Sequence, residues 1–212
     1  SAYIIITILI IHMPFLSTIV PSEIISGEYS EGTFRMYLTR PVTRRSVFFA
    51  KLFIVFLYTI IMMLYFFIFT ILISLLIMGW GELIVFHDGI LILGDNDILW
   101  RFLIGYILSS IVMLSVASLC LLFSSFSNNS VTPIISTISF VFVGSAISYI
   151  PIDLFELINP FLFTGYINIF SLAFFDPLPI NEFINCVIVC IIWSTIFILL
   201  AFINFIKKDI VE

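Results

Sequence analysis

Residues 47–78 read almost without interruption in hydrocarbon, with Lys51 as the one charge. A helix over this run would be about 48 Å long at ~1.5 Å per residue, against ~30 Å of hydrocarbon in a bilayer. It must therefore tilt or project beyond the lipid. Four more runs approach or reach the length of a span: residues 3–20, broken by His12 and Pro14, residues 98–123, residues 131–150 and residues 183–206. The run at 131–150 is the weakest, with Ser and Thr interleaved, and its Gly144 and Ala146 suit close helix packing. Lipid offers the backbone no hydrogen-bond partners, so spans of this kind must be helical. The expected fold class is all-α, a polytopic transmembrane helical bundle with five spans in one domain, residues 1–212. The chain is 62 % hydrophobic and only 10 % charged, whereas a soluble domain carries roughly 25 % charged residues. A soluble fold is excluded, and no basic domain or nucleic-acid motif is present.

The charges sort by loop. Five of the eight Lys and Arg residues fall in residues 22–51: Arg35, Arg40, Arg44, Arg45 and Lys51. Short loops rich in Lys and Arg stay cytoplasmic, which places this stretch inside, together with Lys207 and Lys208 after the last span. Residues 79–97 carry Glu82, Asp88, Asp95 and Asp97 without a base, and residues 151–182 carry Asp153, Glu156, Asp176 and Glu182 without a base. Both are expected outside. Residues 124–130 are short and uncharged and fit the inside. Arg101 alone is out of place, and an i, i+4 pair with Asp97 accounts for it locally. Residues 161–175 form a further apolar run too short to cross, bracketed by prolines. With residues 153–158 it is expected to form a pair of re-entrant helices in the outer leaflet. This topology puts Ser1 outside, which predicts one earlier span and a short cytoplasmic segment ahead of it.

Within residues 22–46, Glu28, Glu31, Gly32 and Thr33 precede a helical pattern in which Phe34, Tyr37 and Leu38 share a face. Pro41 ends that pattern, because the residue before a proline is pushed out of the helical region. Thr43 can cap the next helix. A short amphipathic helix tied at both ends to spans is a docking element, with a partnerless interfacial helix as the alternative. Glu28 and Glu31 either pair with Arg35 or a partner's bases or face solvent. Arg44 and Arg45 anchor at headgroups or contact a partner. His12, mid-span beside Pro14, either lines a path through the bundle or is a neutral histidine bonded to a neighbour. Cys120, Cys186 and Cys190 sit in apolar runs and read as packing residues. No phosphate-binding loop, metal-ligand spacing or nucleophile motif occurs, so no catalytic residue or bound cofactor is expected.

The run GEYSEGTFRMYLTRPVTRRSVFFAK resembles the signature of type-2 ABC exporter permeases. Glu28, Gly32, Thr33, Pro41, Val42, Thr43, Arg44, Ala50 and Lys51 occupy its positions. The ending Phe205-Ile206-Lys207-Lys208-Asp209-Ile210 is similar to the family's aromatic and basic tail. The resemblance implies a six-span permease subunit, five spans of which are in this sequence, that dimerises in a bacterial cytoplasmic (inner) membrane. It implies a separate ABC ATPase subunit that holds ATP and Mg, docked on a cytoplasmic coupling helix. Glu28, Glu31, Gly32, Thr33, Phe34, Arg35, Tyr37, Leu38, Pro41 and Arg44 would carry that coupling; in such a subunit the path on which His12 and Pro14 are candidates would be the translocation path. It also implies two external helices before the last span. A membrane scaffold or regulator that transports nothing is the rival reading, and an unrelated sensor or anchor a third.

Overall fold

A computed structural model describes residues 2–30, 43–79, 83–86, 90–148, 150 and 152–207. In chain order the elements are α1 (Ala2–Ser17), α2 (Ile19–Ser30), α3 (Arg44–Met78), β1 (Leu83–Phe86), β2 (Ile90–Leu93), α4 (Asp95–Phe126), α5 (Val131–Ile147), α6 (Asp153–Ile158), α7 (Ile169–Leu172) and α8 (Ile180–Lys207). Two short 3-10 turns, Asn159–Phe161 and Phe163–Tyr166, lie between α6 and α7. Four stretches are long and apolar enough to cross a membrane: Ile10–Ser30, Arg44–Leu76, Ile98–Phe126 and Ile180–Lys207. The expected helical bundle is what forms. The stretch at Val131–Ile147 is a helix of 17 residues, shorter than those four.

The centre of the bundle is α4. Of its most apolar stretch 72 % is buried, against 22 % for α3 and for α8. Val112, Met113, Val116, Ala117, Cys120 and Leu121 of α4 are fully enclosed. In α3 the outward residues are large and apolar, among them Phe53, Ile61, Leu64 and Leu72, as a helix facing lipid requires.

The first span runs further than its apolar run suggests. Residues 22–30 are not a solvated loop but helix α2, with Ser22, Ile25 and Ser26 fully buried. The break between α1 and α2 falls at Thr18, three residues before Pro21. Proline has no N–H for the carbonyl four residues back, and its ring crowds that carbonyl. Hydroxyls restore part of the lost bonding: Ser17 Oγ donates to Pro14 O at 2.9 Å and Thr18 Oγ1 to Phe15 O at 2.7 Å. Serines are tolerated in α2 for the same reason, Ser22 Oγ donating to Ile19 O at 2.7 Å.

Two local expectations change. Residues 79–97, read as a plain acidic loop, contain an antiparallel hairpin in which Leu83 faces Leu93 and Phe86 faces Ile90. The β-branched runs around His87-Asp88-Gly89 are its sequence signal. Gly144 packs not on another helix but on the Phe163–Tyr166 turn, where an added Cβ would lie 2.5 Å from Thr164 Oγ1. Ala146 is exposed.

Residues 152–179 consist of α6, the two 3-10 turns and α7, none long enough to cross a membrane. Phe163, Phe170 and Phe174 are buried against the bundle, with Phe174 edge-on to Phe102 at 4.9 Å and Phe170 edge-on to Tyr106 at 5.4 Å. Arg101 is drawn into this packing. Its guanidinium donates to Phe175 O at 2.6 Å and faces Asp176 at 3.7 Å. These long-range contacts account for an arginine that is only 8 % exposed; the Asp97 side chain of the expected local pair lies outside what the structure describes.

Candidate functional site

The ends of five helices meet at the end of the bundle that carries residues 31–42. They are the last turns of α2, α4 and α8 and the first turns of α3 and α5. Thr43 caps α3, accepting from Ser46 N at 3.3 Å. This cap was expected from the sequence.

Lys51, two turns into α3, is 5 % exposed. Its ammonium sits 2.5 Å from Glu28 Oε2 and donates to Ile24 O, both on α2. A buried ammonium needs a counter-charge and acceptors, and α2 supplies them. Glu28 thus reaches the Lys51 ammonium, while Arg35 lies outside the described residues. On the other side of α3, Arg44 donates to Ile206 O at 2.9 Å. That carbonyl belongs to the last turn of α8, where unpaired carbonyls and the helix dipole favour a cation. Phe48 fills the space behind it, fully buried, with Phe202 at 5.3 Å and Phe205 at 5.5 Å.

Two further contacts join the same helices. Ser124 Oγ of α4 donates to Ser22 O at 2.9 Å and accepts from Ser26 N at 3.1 Å. Asn204 Nδ2 of α8 donates to Ser125 O of α4 at 2.8 Å. The four links form a closed ring: α3 to α2 through Lys51, α2 to α4 through Ser124, α4 to α8 through Asn204, and α8 to α3 through Arg44. Side chains that hydrogen-bond between helices replace the hydrophobic driving force that lipid removes. Residues 31–42 connect the end of α2 to the start of α3, two of the ring's helices.

Of the expected site residues, Glu28 and Arg44 are in the ring. Glu31, Gly32, Thr33, Phe34, Arg35, Tyr37, Leu38 and Pro41 lie outside the described residues. His12 is exposed on α1 and Pro14 is buried, so the two do not share a face. Serine–asparagine bonding at 124, 125 and 204 was missed. Its one sequence signal is a lone Asn near the end of an apolar span, opposite a Ser-Ser pair at the same end of another. Among the described residues no group of His, Cys, Asp and Glu could hold a metal ion, and the ring contains no nucleophile beside a base. What it can do is mechanical: hold together four helix ends, two of which flank residues 31–42.

The arrangement agrees with what the chain is similar to. A family model described as ABC-2 family transporter protein matches residues 2–144. The uncharacterized protein YhcI of Bacillus subtilis (strain 168) is 24 % identical over 201 residues, which take in 91 % of this chain and 63 % of the relative. The chain thus spans less than two thirds of that relative's length. The part matched by the family model contains α1 to α4 and most of α5, with residues 31–42, three of the ring's four helices and two of its four links. With several apolar helices long enough to cross a bilayer and a family model over most of its length, this chain belongs to the ABC-2 family of transporter proteins, as a multi-pass membrane permease component.

Proposed function

We propose that the chain is the membrane-spanning subunit of an ATP-driven exporter, working as a dimer with a separate ATPase that docks on residues 31–42. The observation that supports this most is the ring at the stems of that loop. A loop that only lay on a membrane surface would need no anchoring, whereas one that receives force from a partner needs both stems tied into the bundle. Lys51 ties the α3 stem to the α2 stem, and Arg44 ties the α3 stem to the end of α8. In this reading the basic end is cytoplasmic. The membrane is a bacterial cytoplasmic (inner) membrane, and ATP and Mg stay on the partner. Phe34, Tyr37 and Leu38 fill the ATPase groove, Glu31 and Arg35 lie at its rim, and Gly32, Thr33 and Pro41 shape the turns. The exposed stripe of α1 and α2 that carries His12 and Glu23, next to Thr132 and Ser139 of α5, suits the wall of the dimer's path better than lipid. Polar groups are costly against hydrocarbon.

The test is a pull-down of the ATPase with ATPase and export assays in membranes. Aromatic anchors in a groove are worth ~2 kcal/mol or more on truncation, and exposed rim pairs roughly 0–1 kcal/mol. Phe34→Ala with Leu38→Ala should therefore abolish capture and export, while Glu31→Ala leaves both near wild type. Wild-type capture and export by the double variant would remove the central claim. ATPase capture without any substrate flux would favour the scaffold reading.

A further inference from the structure

At the end of the bundle opposite residues 31–42, the 3-10 turns, α7 and the first turns of α8 enclose a cleft of about 440 Å³. Its polar lining is Asn159, Tyr166, Asn168, Ser171, Glu182 and Asn185, and Ile169 and Leu172 give it an apolar wall. The lining is built rather than incidental. Asn159 Oδ1 accepts from Ser148 Oγ at 2.7 Å, and Tyr166 donates to Pro160 O at 2.9 Å. Gly165 lets the backbone close on Asn159, since an added Cβ there would lie 2.4 Å from Asn159 Oδ1. Glu182 and Asn185 stand one turn apart on α8, on one face. Among the described residues neither side chain makes a hydrogen bond or an ion pair.

The charge of this cleft selects its ligand. Glu182 is the one acidic side chain of its lining, and residues 151–182 contain no Lys or Arg, so an anion is disfavoured. One carboxylate is too little for a divalent cation, which is held by several carboxylates and carbonyls. A monocation that donates hydrogen bonds fits: one negative charge, carboxamide oxygens as further acceptors, and the Tyr166 ring for the cation's flank. We propose that this cleft binds a primary ammonium group on a short skeleton, either a free amine or the headgroup of an aminolipid. The proposal rests on this end of the molecule alone and stands apart from the permease reading.

The experiment uses the full chain in phosphatidylglycerol nanodiscs. In one arm ethanolamine is titrated against choline, which has the same charge and no N–H. In the other, native mass spectrometry reads retention of phosphatidylethanolamine against phosphatidylcholine. Saturable binding of ethanolamine identifies a free amine. Selective retention of phosphatidylethanolamine alone identifies a headgroup. In either case Glu182→Gln, a near-isosteric change at an exposed position, weakens binding about fivefold, the scale of an exposed charge pair. Asn185→Asp, which adds a second carboxylate, tightens it. Choline or phosphatidylcholine bound as well as the primary amine, no binding in either arm, or a Glu182→Gln variant equal to wild type would overturn the proposal.

Discussion

Replacing Lys51 by Met tests whether the ring is a mechanical unit. The substitution keeps the apolar stem and removes the charge, which strands the Glu28 carboxylate beside α3. Breaking a buried pair by removing one partner costs about 3–5 kcal/mol. The Glu28 side chain is 24 % exposed, against 6 % for Lys51, so water recovers part of that cost. A loss of about 2–3 kcal/mol remains after that discount. For a chain of this size each kcal/mol moves the unfolding midpoint by about 2–4 °C, so thermal unfolding in nanodiscs should shift down by roughly 5–10 °C. Glu28→Gln added to Lys51→Met removes the stranded charge. The double variant should then be more stable than the sum of the singles predicts, by about 1–2 kcal/mol. Strict additivity, or a single-variant shift below about 1 °C, would refute the pairing and with it the link between α2 and α3.

Gly144→Ala puts a Cβ 2.5 Å from Thr164 Oγ1 and 2.7 Å from its Cγ2, where Thr164 is itself buried. Overpacking of this kind costs about 1–3 kcal/mol, and Thr164→Gly in the same chain should restore the unfolding midpoint. Because Cys120, Cys186 and Cys190 are fully buried, the wild-type chain should resist an impermeant maleimide. Ser30→Cys, exposed at the end of α2, should react in inside-out vesicles and not in intact cells. Labelling from outside would invert the topology.

Spans were legible because hydrocarbon length is a crude and strong signal: α3, α4 and α8 match their apolar runs to within a few residues. The end of the first span was not. Ser22, Ser26 and Glu28 look like a loop by composition, yet each has a partner inside the bundle, and only the tertiary contacts of Ser124 and Lys51 show it. The hairpin at 83–93 was masked by acidic neighbours, which weigh on composition but not on strand pairing. For Arg101 the sequence suggested only a near neighbour, and the contacts with residues 175 and 176 come from 74 and 75 positions away. In the site, Glu28 and Arg44 were picked out by motif, but their actual contacts, Lys51 and Ile206, lie 23 and 162 positions away. Sequence spacing does not reveal pairs at such distances.

The ring of α2, α3, α4 and α8 is a linkage with no free end. In an open row of helices, one can swing while the far ones stay still. In a closed one, turning any member loads both of its neighbours, and the only easy motion is one that all four share. The four joints are chemically unlike: an ion pair, a serine bridge, a carboxamide and an arginine on a carbonyl. A cut at any of them nonetheless turns the linkage into an open row, so variants at Lys51, Ser124, Asn204 and Arg44 should differ in stability yet resemble one another in how far a push on residues 31–42 travels.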